Sequence, residues 1–180
     1  MRKLLLLCLL SVLVGCAGPQ VSDYAREQPN LELSDYFNGE LEAWGMFQNR
    51  SGEVVKRFHV AMTGTWDGDV GVLDERFTYS DGSTERRVWT LRKQADGSWR
   101  GTADDVVGEA IGQVAGNALN WRYQLRLKVD DSTYVVDFDD WMFLMDGQVM
   151  LNRARMSKWG IDLGQVTLSF YKPAAADKAD

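Results

Sequence analysis

Apolar and polar residues alternate with a period of two along most of this chain. In residues 118–130 the apolar positions are Leu119, Trp121, Tyr123, Leu125, Leu127 and Val129, and polar residues occupy the positions between them. Because successive side chains of a strand point to opposite faces, this pattern predicts β-strands with one buried face. Asp-Gly pairs at 67–68, 81–82, 96–97 and 146–147 are typical of tight hairpin turns.

The pattern predicts about nine or ten consecutive strands in an all-β domain. They lie near residues 40–49, 54–66, 69–80, 85–95, 98–105, 106–116, 118–130, 132–145, 147–158 and 161–172. No proline interrupts the chain between Pro29 and Pro173. An antiparallel meander of this size protects its edges by stacking into a sandwich or by closing. Since no long crossover is evident, we expect an up-and-down meander closed into a lipocalin-like (calycin) barrel.

The strand predicted at 106–116 has almost no side chains on one face. That face consists of Val106, Gly108, Ala110, Gly112, Val114 and Gly116. It allows either a sharp bend of the sheet or a close approach of another group to the backbone. We interpret it first as a source of barrel curvature.

The first fifteen residues form a predicted signal peptide. Arg2 and Lys3 precede an apolar run of eleven residues, 4–14. Such a run rises only about 16 Å as a helix, against a hydrocarbon core of about 30 Å, so a permanent membrane span is the weaker interpretation. Residues 13–16, Leu-Val-Gly-Cys, resemble the lipobox of bacterial lipoproteins, in which cleavage precedes the cysteine and its thiol and new amine are acylated. We therefore expect cleavage after Gly15 and lipidation of Cys16.

Lipidation of Cys16 would determine the location and limit the chemistry of the mature chain. Several acyl chains on one residue exceed what stable membrane anchoring requires. In the Gram-negative proteins that this motif resembles, an Asp after the cysteine tends to retain the product in the inner membrane. Ala17 follows here, so we expect the inner leaflet of the outer membrane, facing the periplasm. Since Cys8 leaves with the signal, no free thiol remains for a disulfide, a redox pair or a metal.

The charge of the mature chain excludes one class of partner. Without Arg2 and Lys3 the chain has 18 basic and 26 acidic side chains, a net charge near −8. An acidic surface repels phosphate backbones, so we do not expect nucleic acid to bind. The predicted organisation is a leader at 1–15, an acylated N-terminus and linker at 16–30, one barrel domain at 31–172 and a flexible tail at 173–180.

Candidate ligand-binding residues lie around the predicted hairpin at Asp146-Gly147. If these two residues form the whole turn, Asp140 faces Arg153 and Trp141 faces Asn152. The Asp140–Arg153 pair could anchor the polar head of an apolar ligand or only determine strand register. In segment 118–130, Trp121 and Tyr123 lie on the apolar face of the strand, where they either line a pocket or belong to the ordinary core. The complete set of candidates is Asn120, Trp121, Tyr123, Asp140, Trp141, Asn152 and Arg153.

No residue pattern indicates catalysis, a metal site or another cofactor. Asp139 and Asp140 point to opposite faces of one strand, so they cannot act as a carboxylate pair. His59 is the only histidine, which disfavours zinc and copper, and no Gly-x-Ser-x-Gly elbow displays a nucleophile for it. We interpret 104–105 and 130–131, both Asp-Asp, as solvated turn acids rather than a calcium site.

Three further motifs resemble an uncharacterised family of Gram-negative lipoproteins, domain of unknown function 3833. They are Asn117-Ala118-Leu119-Asn120-Trp121-x-Tyr123, Asp139-Asp140-Trp141-Met142 and Asn152-Arg153-Ala154, and they accompany the lipobox. The resemblance covers nearly the whole mature domain. It implies a calycin-type barrel and, through the association of members with membrane-lipid modification, a lipid-related role. It implies no reaction.

Three functional hypotheses follow. In the first, the partly apolar interior of the barrel binds a lipid or another hydrophobic small molecule next to the membrane. In the second, a filled barrel serves as a structural or interaction lipoprotein whose acidic surface binds an envelope protein. In the third, the protein is an enzyme acting on a lipid-like substrate, which depends only on the polar cluster around Asp140 and Arg153. A cavity in the folded barrel distinguishes the first hypothesis from the second.

Overall fold

The computed structural model describes residues 18–129 and 131–174, and these contain ten antiparallel strands. Their bounds are β1 Gly39–Asn49, β2 Val54–Asp67, β3 Val70–Tyr79, β4 Thr84–Lys93, β5 Trp99–Thr102, β6 Ala110–Ala115, β7 Ala118–Val129, β8 Ser132–Leu144, β9 Val149–Lys158 and β10 Ile161–Tyr171. Each strand pairs with its sequence neighbour, and β1 also pairs with β10. The predicted all-β meander and its closure into a barrel are confirmed.

Two of the hairpins show how the Asp-Gly pairs act. Gly82 and Gly97 adopt φ values of 82° and 81°, in the left-handed region where glycine has no steric penalty. The preceding carboxylates, Asp81 and Asp96, each accept a hydrogen bond of 2.9 Å from the backbone amide of the serine two residues on. These hydrogen bonds from neighbouring residues stabilise the turns, and the alternation of the flanking strands keeps their apolar side chains inside the barrel.

Strands β5 and β6 are shorter than predicted, because residues 103–109 leave the sheet and form a loop. The backbone of this loop is held by β7: Val106 bridges Leu125, and the Arg126 amide donates to Asp105 O at 2.7 Å. The loop lies between β4 and β7 at one end of the barrel. It thereby brings the Asp105 side chain to the interior.

The two ends of the barrel differ. A single-turn helix α1, Leu33–Tyr36, precedes β1 and closes one end with Leu33 and Phe37, which are 1% and 4% exposed. The Phe37 carbonyl oxygen lies where a Cβ at Gly64 would be, so this close contact requires glycine in β2. The hairpins β1–β2, β3–β4, β7–β8 and β9–β10 surround the opposite end, which is the mouth of the barrel.

The described part of the predicted linker packs on the outside of the barrel. Residues Val21–Tyr24 form a 3-10 helix, and the Tyr24 ring contacts Trp141 and Phe143 of β8 with centroid distances of 5.8 and 5.1 Å. The Leu31 amide then donates to Gly116 O at 2.8 Å. This segment is therefore ordered by the sheet rather than free. The predicted leader, Cys16 and tail residues 175–180 lie outside the described residues.

Within 18–129 and 131–174, no helix is long and apolar enough to cross a bilayer.

Candidate functional site: a polar cluster inside an apolar cavity

The barrel encloses a cavity of about 490 Å³. Its wall is mainly apolar and includes Phe47, Phe58, Met62, Leu73, Phe77, Trp89, Leu91, Leu119, Trp121, Leu125, Phe138, Val166 and Phe170. Solvent-exposed Glu85, Arg126 and Lys128 also contribute to the wall, so the cavity reaches the mouth. This volume falls within the ~300–1,000 Å³ typical of small-molecule sites. The protein's own side chains therefore do not fill the barrel.

Six polar residues interrupt the apolar wall of the cavity, and we call them the polar cluster. They are Glu75 of β3, Arg87 of β4, Asp105 of the 103–109 loop, Tyr123 of β7, Asp140 of β8 and Asn152 of β9. Because each comes from a different element, only closure of the barrel brings them together. Polar groups inside an apolar cavity are what orients a ligand in a typical small-molecule site.

Arg87 is paired with Asp105. Its Nε and Nη2 lie 2.9 and 2.7 Å from Asp105 Oδ2, and Nη2 lies 3.6 Å from Glu85 Oε1. The guanidinium also lies over the Phe77 ring, 5.3 Å from its centroid. Burial by itself would lower the pKa of Arg87, but the charges of Glu75 and Asp105 raise it above its usual range. Arg87 is a permanent cation whose donors face carboxylates of the protein.

Glu75 is directly opposite Arg87 in the β3–β4 ladder, yet the arginine turns toward Asp105. Among the described residues, Glu75 has no hydrogen-bond or ion-pair partner. Its remaining accessible surface faces the cavity rather than bulk solvent. Burial raises the pKa of Glu75 to about 7; the nearby carboxylates, Asp105 first among them, act in the same direction, and Arg87 opposes them.

Asp140 and Asn152 form a buried pair across the β8–β9 hairpin, 7% and 3% exposed. The Asn152 side-chain amide donates to Asp140 Oδ1 and also, at 3.2 Å, to Trp141 O. Burial raises the pKa of Asp140 to about 7, although the hydrogen bond from Asn152 lowers it. Asp140 is therefore a second carboxyl group whose charge is costly inside the barrel.

The predicted opposition of Asp140 and Arg153 is wrong. Asp140 pairs with Ala154, and Trp141 pairs with Arg153, because the turn spans Asp146, Gly147 and Gln148 rather than two residues. A slip of one residue moves every side chain of a strand to the other face. Arg153 consequently points outward and donates to Gln165 Oε1 at 3.2 Å, and Asn152 points inward instead.

The other predicted candidates divide between the two faces of the sheet. Trp121 and Tyr123 line the cavity; Tyr123 stacks on Phe138 with ring centroids 5.0 Å apart, and burial raises its pKa well above 10.0. Asn120 is buried on the outer face, where its amide donates to Asp139 Oδ1 at 2.7 Å. Trp141 lies outside, beneath Tyr24. Four of the seven candidates thus reach the cavity: Trp121, Tyr123, Asp140 and Asn152.

The face of small residues in β6 accommodates the Trp121 indole. A Cβ at Gly112 would lie 2.2 Å from Trp121 Cε3, and one at Gly101 of β5 would lie 2.4 Å from Trp121 Cζ2. Of the two predicted roles for this face, close approach is therefore directly observed. The Trp121 ring therefore packs directly on the backbone of β5 and β6.

Glu75, Arg87 and Asp105 were not predicted as site residues. Glu75 lies between Leu73 and Phe77 in β3, and Arg87 lies two residues before Trp89 in β4. Both are therefore charged residues at positions where the alternation predicts a buried apolar side chain, and this mismatch is the sequence feature that points to them. Asp105 had no such signal and was interpreted as a solvated turn acid. Only the path of the 103–109 loop turns it toward Arg87.

Among residues 18–129 and 131–174, no group of three or more His, Cys, Asp or Glu side chains is arranged to hold an ion. His59 lies on the outer surface, with its ring 5.2 Å from that of Trp44 and Nε2 3.8 Å from Glu42 Oε1.

A closed ten-stranded meander around an apolar cavity defines a calycin-like barrel. The chain is similar in fold to an S-type phycobiliprotein lyase from Guillardia theta, with a TM-score of 0.56 and 8% identity over 87% of this chain and 99% of that one. A protein of unknown function from the DUF3598 family of Nostoc punctiforme gives a TM-score of 0.48 and 14% identity over 87% of this chain and 53% of the other.

The sequence itself identifies the family. The model of the family described as "Protein of unknown function (DUF3833)" matches residues 10–172, and the chain belongs to this family. Comparison with curated proteins gives no match.

Proposed function

We propose that this protein is a periplasm-facing lipoprotein, anchored through Cys16 to the inner leaflet of the outer membrane, whose barrel binds a hydrophobic small molecule. The observation that carries the binding function is the cavity of about 490 Å³, with its mainly apolar wall and the polar cluster. Barrels of this size either fill with side chains or hold one small ligand, and this one is not filled.

The alternative hypotheses have less support. A purely structural barrel would have no reason to retain an apolar cavity, since each unfilled volume costs packing energy. The enzymatic hypothesis depended on Asp140 and Arg153 acting together, and these residues lie on opposite faces of the sheet. The acidic outer surface is compatible with the binding of an envelope protein in addition to a ligand.

The ligand test is native mass spectrometry of the full chain after mild extraction from membranes. Ala154 is 2% exposed and lines the cavity, so Ala154→Phe places a ring in that space. Leu151→Phe is the matched control, because Leu151 lies on the outer face of the same strand and is 44% exposed. We expect a non-covalently bound molecule on the wild type and on Leu151→Phe, and its loss from Ala154→Phe.

Two results would contradict the binding function. One is the absence of any bound mass on the wild type. The other is the same occupancy in both variants, which would place the molecule outside the barrel. If Ala154→Phe does not fold, Leu168→Trp is the second cavity-filling variant, because Leu168 also lines the cavity and is only partly buried.

The membrane anchor is tested separately through the two cysteines of the chain, Cys8 in the predicted leader and Cys16 directly after it. In cells given radiolabelled palmitate, we expect label on the wild type and on Cys8→Ser but none on Cys16→Ser. The labelled protein should separate with the outer membrane on a density gradient. An unlabelled wild type, or equal labelling of Cys16→Ser, would show that Cys16 is not acylated.

A further inference from the structure

The charges of the polar cluster distinguish between classes of ligand. We propose that the cavity binds an amphiphile whose polar group is a protonated amine, rather than a carboxylate or a phosphate, and this rests on the proposed function. Glu85, Arg126 and Lys128 line the cavity at its solvent-exposed mouth, and deeper in the wall three carboxyl groups, those of Glu75, Asp105 and Asp140, accompany one guanidinium, that of Arg87. The interior therefore offers an excess of acceptors.

The guanidinium of Arg87 already contacts carboxylates of the protein. Both Nε and Nη2 of Arg87 contact Asp105 Oδ2, and Glu85 lies on the remaining side of Nη2. The two side chains are partly buried, 18% and 26% exposed, and an anionic headgroup at the Nε–Nη2 edge would have to displace Asp105. Separating a partly buried ion pair is unfavourable, because each charge loses its partner. The charge of Arg87 is therefore already compensated by carboxylates of the protein.

Two carboxyl groups are available instead. Within the described residues Glu75 has no partner, and Asp140 uses Oδ1 for Asn152 while Oδ2 receives no hydrogen bond. Both side chains line the cavity. The charge of Asp140 acts on Glu75, and a protonated amine bound at these groups would supply up to three donors and compensate the charge that burial makes costly. Burial raises the pKa of both acids to about 7, although the charge of Arg87 opposes this at Glu75, which agrees with two carboxyl groups that no cation contacts directly.

The aromatic wall next to these acids favours the same ligand. Trp89 packs edge-on against both Trp121 and Tyr123, at 5.9 and 5.5 Å between ring centroids, and all three line the cavity. Cations are attracted to the faces of such rings, whereas anions are not. The apolar part of the cavity wall accommodates the remainder of the molecule.

The cations at the mouth do not provide an equivalent anion site. Arg126 donates through Nη1 to Val106 O at 2.9 Å, and both Arg126 and Lys128 are exposed to solvent. Exposed charges are screened by salt and contribute little to affinity. An anion held there would leave Glu75 and Asp140 without a partner.

The test compares three molecules with one tail and different heads: dodecylamine, dodecanol and dodecanoate. The full-length protein, freed of any carried molecule and kept in lipid nanodiscs at pH 7.5, is titrated with each, and occupancy is read by native mass spectrometry. We expect dodecylamine to bind about tenfold or more tighter than dodecanoate, because charge-assisted hydrogen bonds separate the two. Dodecanol should fall between them.

Variants assign the preference to the two acids. Glu75→Gln and Asp140→Asn should each weaken dodecylamine about tenfold and leave dodecanol nearly unchanged, since only the charged head uses the carboxylate. Glu40→Gln is the control, because Glu40 is exposed on β1.

Lysophosphatidylethanolamine is a fourth probe: binding as tight as dodecylamine would identify an ethanolamine headgroup as the source of the amine, and weaker binding would identify a simple amine.

Failure of this inference differs from failure of the proposed function. Dodecanoate binding as tightly as dodecylamine, or dodecylamine binding unchanged in both Glu75→Gln and Asp140→Asn, would overturn the amine preference while leaving a ligand-binding barrel. No binding of any probe to the wild type, together with no carried molecule after extraction, would overturn the proposed function itself.

Discussion

The side-chain amide of Asn152 donates a hydrogen bond to Asp140 Oδ1 inside the barrel, and the neighbouring Arg153 lies outside it. This relationship depends on the register of one hairpin, in which Asp140 pairs with Ala154. It also determines the polarity of the cavity, because an amide and not a guanidinium accompanies the buried carboxyl group of Asp140.

Substituting each of these two neighbours tests the register. Asn152→Leu removes the donor from a buried carboxyl group, so we expect unfolding in urea to become easier by about 2 kcal/mol. Arg153→Met alters only an exposed side chain and should change the free energy of unfolding by less than about 0.5 kcal/mol. A larger effect at Arg153 than at Asn152 would indicate that the arginine is the interior residue.

The pH dependence of stability should report the two buried acids. Folding raises the pKa of Glu75 and of Asp140 to about 7, so between about pH 4.5 and 7 the native state binds more protons than the unfolded state. Stability therefore falls as the pH rises through this range, by on the order of 2–3 kcal/mol for each acid. Urea unfolding at pH 5 and at pH 8 measures the difference.

Neutral isosteres should remove this pH dependence one group at a time. Glu75→Gln is expected to flatten the decline and to be more stable than the wild type at pH 8, because the substituted amide carries no charge to desolvate. The exposed control Glu40→Gln should keep the wild-type slope. Identical slopes in the wild type and Glu75→Gln would show that Glu75 ionises as easily in the folded state as in the unfolded state.

Gly112 is expected to be intolerant of any side chain. A methyl group there would lie 2.2 Å from the Trp121 ring, so Gly112→Ala should cost about 2 kcal/mol or more in thermal or urea unfolding. Gly147→Ala is the control, because nothing lies within 4 Å of the position that its Cβ would take. Trp121→Leu should partly rescue Gly112→Ala; strictly additive effects would mean that the two residues do not interact.

The N-terminal segment should detach without unfolding the barrel. Tyr24→Ala removes the ring that contacts Trp141 and Phe143, a loss of about 1 kcal/mol. We expect faster hydrogen exchange and protease cleavage within residues 21–31, while the strands remain protected. Ser22→Ala, in the same 3-10 helix and exposed, should behave like the wild type. Equal protection in Tyr24→Ala would show that the ring does not hold the segment.

The sequence by itself determined the secondary structure and the fold class. Period-two patterning depends only on neighbours along the chain, and Asp-Gly turns such as 81–82 are stabilised by their own side chains, so the strands and the order of pairing could be predicted. The same alternation correctly assigned Asp140 to one face of its strand and Asp139 to the other. The sequence also showed the face of small residues that contains Gly112, but it did not show that the Trp121 ring packs there.

Only the tertiary structure decided the chemistry of the cavity. The polar cluster combines residues that are far apart in sequence, and the positions of Asn152 and Arg153 depend on whether one turn contains two residues or three. Asp105 reaches the interior because the 103–109 loop leaves the sheet there and is held by β7. Register, loop path and cavity volume result from packing across the whole barrel, and a local pattern contains no information about such distant contacts.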